Sequence, residues 1–252
     1  MTPLQMVAVL LAGLAAGTIN TVVGSGTLIT FPTLLAFGVP PVTANVSNTI
    51  GLVPGTASGV YGYRRELSGQ RSRATRLGAG SLLGGVIGAV LLLSLPSSAF
   101  SAIVPVLIVV GLLLVVFQPR TTAWVDARHE GIRGHQGPWW VWPAVAVTGV
   151  YGGYFGAAQG VILMGVLGIG IDDTLQRLNG LKNVLAGIVN GVAGLIFILV
   201  AHVDWTVVAL IAVGSVIGGQ VGATVGRRLS PLALRVFIVV VGLVSLAVFL
   251  TR

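Results

Sequence analysis

The chain has 252 residues, of which 55% are hydrophobic and only 8% charged, and its mean hydropathy is +0.99. An ordinary soluble domain carries about 25% charged residues, so this composition excludes one and specifies a polytopic membrane protein. The net charge of +8 does not mark a nucleic-acid binder, because the basic residues stand in short clusters between apolar spans, and the lack of cysteine excludes disulfides and thiolate chemistry.

In chain order, apolar segments are expected at Leu4–Val23, Leu28–Phe37, Val42–Tyr61, Thr75–Leu95, Ala99–Phe117, Trp139–Phe155, Val161–Ile171, Leu175–His202, Trp205–Val225 and Leu232–Leu250. No Lys or Arg precedes Arg64, so the first segment lacks the basic region of a signal peptide and is expected to be retained. Leu28–Phe37 and Val161–Ile171 have only 10 and 11 residues, against roughly 20 for a crossing helix. They read as half-helices, which membranes tolerate only when buried in protein or lining a cavity. The 37 glycines suit close helix packing.

The polar loop Gln118–Pro138, with Arg120, Arg128, Arg133, Asp126 and Glu130, divides the chain into a first transmembrane repeat (1–118), a cytoplasmic linker (119–138) and a second repeat (139–252). A shift of 132 lays Gly17, Gly24, Gly38, Gly55, Gly59 and Gly62 on Gly149, Gly156, Gly170, Gly187, Gly191 and Gly194. A shift of 134 lays the ten residues from Gly80 on those from Gly214 with six identities. The halves read as a duplication.

Arg64, Arg65, Arg71, Arg73 and Arg76 place the Tyr63–Arg76 loop in the cytoplasm, and two further spans return Gln118–Pro138 to the same side. In the second copy the equivalent loop, His202–Trp205, has no Lys or Arg, while Arg227 and Arg228 stand where the first copy has the uncharged Ser94–Ser97 turn. This exchange predicts an inverted repeat with both termini outside. The expected fold is therefore all-α and polytopic, with two inverted repeats of about five embedded helical segments, each starting with a broken or re-entrant hairpin. Trp139, Trp140 and Trp142 suggest an interfacial belt.

Inverted repeats with broken helices put substrate near the midplane, where half-helix N-termini face an anion. Gly24, Ser25, Gly26 and Thr27 lead into one half-helix; Gly156, Ala157, Ala158, Gln159 and Gly160 lead into the other. Together they would form a two-sided cradle, although small residues at such spacing also serve plain helix packing. Polar residues inside apolar spans normally face a cavity or partner. These are Asn20, Asn45, Ser47, Asn48 and Thr49 in the first half, and Arg177, Asn179, Lys182, Asn183 and Asn190 in the second. Asn179, Lys182 and Asn183 can share one helix face, a cation beside two amides that suits a small oxyanion. Lys182, the only lysine, either binds substrate, snorkels to the interface, or pairs with Asp172 or Asp173. Arg177 is expected to partner that Asp pair. No metal-ligand spacing, paired catalytic base or phosphate-binding loop is present, so neither an enzyme nor a metal or other cofactor is expected.

Several motifs in this order resemble the sulfite exporter TauE/SafE family of membrane permeases. In the first half they are Ala16-Gly17, Gly24 and Gly26 before Leu28-Ile29-Thr30 and Pro32, Gly38-Val39-Pro40-Pro41, Asn48 and Gly55-Thr56. In the second they are Leu178-Asn179-Gly180-Leu181-Lys182-Asn183 and Asn190. The chain departs from the family pattern in its shorter glycine run at Gly24-Ser25-Gly26, in Thr49 where a lysine is common, and in the tip Gly156–Gly160. The resemblance implies secondary transport of sulfite, sulfoacetate or a related sulfonate or sulfur oxyanion across a bacterial plasma membrane, with Lys182 binding. A passive anion channel built from the same parts is the alternative. The expected partners are that small anion and the lipid bilayer, with no nucleic acid and a homo-oligomer left open.

Overall fold

A computed structural model describes residues 1–126, 137–225 and 231–250. Among these residues the fold is all-helical, with ten helices and no strand: α1 (Pro3–Val22), α2 (Thr27–Ala36), α3 (Pro41–Gly62), α4 (Arg71–Ser94), α5 (Ser97–Asp126), α6 (Val141–Tyr154), α7 (Gln159–Gly170), α8 (Leu175–Val200), α9 (Trp205–Thr224) and α10 (Pro231–Leu250). Each coincides with an expected apolar segment. The main difference is α5, which continues through Gln118–Asp126, so the polar connection is shorter than its charges suggest. Arg128, Glu130 and Arg133 of that connection lie outside the described residues, as do Arg227 and Arg228, on which half of the charge-exchange reasoning depends.

Five helices are long and apolar enough to cross a membrane: α1, α4, the Ser97–Gln118 part of α5, α8 and α9. With 22 residues α3 is also long enough, about 33 Å at 1.5 Å per residue. It is less apolar because it buries Asn45, Ser47, Asn48, Thr49 and Thr56. The half-helices α2 and α7 have 10 and 12 residues, none of them exposed. The outward faces of α4 and α5 are apolar, with Leu82, Leu83, Ile87, Val106 and Leu113 exposed.

The packing scheme is regular. Helix α9 packs on α1 and α3, α4 packs on α6 and α8, and α3 and α8 pack on each other; α10 lies against α2 and α5 against α7. The tightest seams run backbone to backbone through glycine. A Cβ on Gly84 would sit 2.1 Å from Ala146 O and one on Gly218 2.1 Å from Leu14 O, so larger residues there would separate the helices. Gly85 meets Val189 and Gly219 meets Gly55. In these two seams Gly55 and Val189, and likewise Gly85 and Gly219, take equivalent places 134 residues apart.

The tryptophans do not act alike. Trp139 is exposed, whereas Trp142 is half-buried and donates its indole N–H to Arg76 O (3.0 Å), and Trp140 packs beside Gly170. Only the first stands free on the surface as a belt residue would.

Candidate anion site

The two helix breaks are made by the same turn. At the end of α1 the N–H groups of Val23 and Gly24 both donate to Ile19 O, at 2.7 and 3.0 Å. At the end of α6 the N–H groups of Phe155 and Gly156 both donate to Tyr151 O, at 2.9 and 3.1 Å. Gly24 (φ +90°) and Gly156 (φ +76°) adopt a left-handed backbone that a Cβ disfavours, which is why glycine stands at both.

The α1 turn leaves the carbonyls of Asn20 and Thr21 without backbone donors, and α8 supplies side chains in their place. Lys182 Nζ donates to Asn20 O (3.1 Å) and Thr21 O (3.2 Å), while Asn179 Nδ2 and Asn183 Nδ2 donate to Thr21 O at 3.1 and 3.2 Å. The three α8 residues do share a face. A helix C-terminus carries a partial negative charge, which these N–H donors offset.

Lys182 is fully buried at 0% exposure and therefore does not snorkel. Asp173 instead pairs with Arg73 Nη1 (2.7 Å) and Arg177 Nε (2.8 Å), as expected for Arg177. Burial pushes the Asp173 carboxyl up, but hydrogen bonds from Arg73 and the Thr174 N–H, with the charges of Arg177 and Arg73, outweigh this and hold it below the usual carboxylate range. Arg177 also donates to Ser68 O (3.0 Å), and Gln70 donates to Arg177 O (3.0 Å). The α3–α4 and α7–α8 connections are thereby laced together.

On the other side of the first break is the start of α2. Leu28, Ile29 and Thr30 donate their N–H groups to Ser25 O and Gly26 O, while those of Ser25, Gly26 and Thr27 are taken up by no described residue. Ser25 is fully buried and its hydroxyl also has no partner among the described residues. Asn48 braces this end: it accepts from the Thr30 hydroxyl and donates to Thr27 Oγ1 (3.3 Å). Gly26 lies against Ala16 O, where a Cβ would come to 2.4 Å.

The second break differs at the corresponding place. Gly160 N–H, in the first turn of α7, donates to Gly24 O (3.0 Å), and a Cβ on Gly24 would lie 2.3 Å from Gly160 Cα. The two tips touch, as a paired cradle requires, but an α7 donor is spent on the contact. Gln159 is buried against Gly152 and its Nε2 is unpartnered among the described residues. Ala158 takes a left-handed conformation (φ +61°).

Two residues do not join. The Thr49 hydroxyl donates to Asn45 O of its own helix (2.9 Å), and Asn190, two turns beyond Asn183, is half-buried and bonds to none of the others. One contributor stands outside the residues singled out from the sequence: Thr30, which orients Asn48 and carried no sequence signal. Asn45, one of the polar residues noted in the first half, caps Tyr154 O at the end of α6 through its Nδ2 (3.0 Å).

The arrangement gathers donors around the α1–α2 break: backbone amides, the Ser25 hydroxyl and the Lys182 amine, with no carboxylate bonded there. It can hold a small anion. Among the described residues no group of three His, Cys, Asp or Glu side chains could hold a metal ion. A separate cleft of about 480 Å³, lined by Phe37–Pro40, Thr43 and His202–Trp205, contains none of the candidate residues.

Long apolar helices, polar side chains turned inward and two broken helices meeting inside the bundle define a multi-pass membrane protein with a polar interior. The family model described as Sulfite exporter TauE/SafE matches residues 9–249, and the chain belongs to that family of membrane transporters. It is 27% identical over 213 residues to the probable membrane transporter protein ORF9 of Sinorhizobium sp, covering 84% of this chain and 79% of the relative. It is 25% identical over 254 residues to the probable membrane transporter protein YfcA of Escherichia coli strain K12, covering 98% and 90%. A probable membrane transporter protein of Haemophilus influenzae is 25% identical over 211 residues, covering 84% and 81%. No solved structure matches the chain. Family and relatives denote a transporter and not an enzyme.

Proposed function

We propose that the protein is a secondary transporter that moves a small anion, of the sulfite, sulfoacetate or sulfonate class, through a site between two inverted repeats in a bacterial plasma membrane. The observation that carries this reading is the α1–α2 break. It leaves the Ser25–Thr27 amides and the buried Ser25 hydroxyl without partners among the described residues, with the buried Lys182 bonded at the end of α1. Helix N-termini of this kind take up anionic groups. Ser25, Gly26, Thr27 and Lys182 contact the anion, Gln159 faces it from the second break, and Asn48, Asn179 and Asn183 hold the contacts in place.

The inverted repeat (1–118 and 139–252) is supported by the packing scheme. Exchanging α1 to α5 with α6 to α10 turns the α1–α9 contact into α6–α4, α3–α9 into α8–α4, and α2–α10 into α7–α5, all of which occur. The arginine-rich α3–α4 connection, laced to the α7–α8 connection, lies in the cytoplasm, and the cleft at His202–Trp205 opens on the outer side with both termini.

The test is flux in liposomes with sulfite, sulfoacetate, taurine, sulfate and thiosulfate. Saturable counterflow of at least one, lost in Lys182→Ala, is expected. Ohmic current without counterflow would make the protein a channel. Flux of every candidate independent of Lys182, or none at all, would overturn the reading.

A further inference from the structure

The end of α1 is built as a cation site. Asn20 O and Thr21 O accept no backbone N–H from the described residues, and in broken-helix transporters such freed carbonyls hold the coupling sodium or proton. Here the place is filled from α8 by Lys182 Nζ, at 3.1 and 3.2 Å from the two oxygens. A neutral amine has two N–H donors, and two carbonyls receive them. An ammonium has a third, with no described acceptor.

No described carboxylate is bonded to Lys182; Glu66 lies on the α3–α4 connection, which meets the start of α8 through Ser68 and Gln70. Helix α8 packs on α1, α3, α4, α6 and α7. Helices α1 and α7 carry no titratable side chain; α3 carries Tyr61, which is exposed, and α6 carries Tyr151 and Tyr154. Arg71, Arg73 and Arg76 are on α4. No Asp or Glu lies on any of the five. Asp172 and Asp173 precede α8, where Asp173 is held by Arg73 and by Arg177 of α8 itself.

Resting on the anion reading above, we infer that Lys182 takes the place of a coupling sodium ion and itself carries the coupling proton. The amine gains a proton as the anion arrives, the third N–H and the positive charge turn to the anion, and both are lost when it leaves. The step is amine plus proton plus anion giving an ammonium–anion pair; no bond within the anion changes. At the offset of 134 the first half has Asn48 where the second has Lys182, so the stoichiometry is one proton per anion, moving in the same direction.

Lys182 is the only lysine, so protein labelled with [13Cε,15Nζ]lysine reports this amine alone. In sodium-free nanodiscs at neutral pH, adding sulfoacetate is expected to move the signal from the amine to the ammonium position. In proteoliposomes, sulfoacetate entry should carry one proton inward, with or without sodium. In Lys182→Arg, with its charge fixed, whatever sulfoacetate exchange remains should move no proton. A signal that sulfoacetate perturbs but that is ammonium both before and after, or flux that requires sodium, overturns the coupling and leaves the anion site standing. If sulfoacetate, sulfite and taurine neither perturb the signal nor cross, the anion site falls and the coupling with it.

Discussion

The contact between the two hairpin tips can be tested within one short helix. Gly160 and Gly165 both lie in α7, but a Cβ on Gly160 would come to 2.4 Å from Gly24 Cα and 3.0 Å from Gly24 O, whereas one on Gly165 meets nothing within 4 Å. Each change to alanine removes the helix cost of glycine, up to about 1 kcal/mol, and this gain largely cancels between them. What remains is overpacking at Gly160, about 1–3 kcal/mol, plus weakening of the Gly160 N–H to Gly24 O bond, about 0.5–1.5 kcal/mol. Gly160→Ala should thus be less stable than Gly165→Ala by roughly 2–4 kcal/mol, or about 4–16 °C in melting temperature for a chain of this size. Thermal unfolding of the two purified variants in nanodiscs, with anion counterflow on each, is the assay. Equal melting temperatures would refute the claim that the breaks meet backbone to backbone.

Asp173→Asn should cost about 1.5–3 kcal/mol through its weakened bonds to Arg73 and Arg177. Because the Asp173 carboxyl is held below its usual range, its contribution is complete above the unfolded value near pH 4 and is lost as pH falls through the lower folded value. Melting curves against pH should therefore show a smaller acid loss in the variant; an unchanged profile would contradict the pairing. Asn48→Leu removes the partner of Thr30 and Thr27 and should lower stability by about 1–3 kcal/mol and weaken sulfoacetate binding, with binding and melting measured together. For topology, the chain has no native cysteine, so Ser68→Cys and His202→Cys give clean sites for membrane-impermeant maleimide. They should label from opposite sides, and labelling from one side would remove the inverted arrangement.

All ten helices were legible because lipid-like interiors demand long apolar runs, and Gly, Pro and charge mark where they stop. The breaks were legible because 10 and 11 apolar residues cannot span a bilayer. The fate of Lys182 was not. Spacing from Asp172 and Asp173 allowed snorkelling or an ion pair, and the choice depended on where the end of α1 lies in space, a contact across 161 residues of chain. The register of α3 against α8 was ambiguous in the sequence for a related reason. Glycine is so frequent that a shift of 132 finds matches, and only the seams through Gly85 and Gly219 select 134. Thr30 was invisible because a threonine in a half-helix carries no pattern until its hydroxyl is seen on Asn48.

Duplication alone would give two equal sites, and the local chemistry argues against that outcome. Both breaks use the same turn, yet their consequences diverge at three places. Gly160 gives its N–H to Gly24 O, so an α7 donor is taken up by protein, while the amides of Ser25–Thr27 are taken up by no described residue. Lys182 on α8 reaches the freed carbonyls of α1, while Asn48, its counterpart on α3, turns to α2. Asn45 caps Tyr154 O with a neutral amide where α1 receives a lysine as well as two amides. Each substitution moves positive character from the second break to the first. The proposed carrier, with one anion site and one protonatable amine, needs this asymmetry. Two equal lysines would bury two like charges around a single small anion, at a desolvation cost that one anion cannot offset.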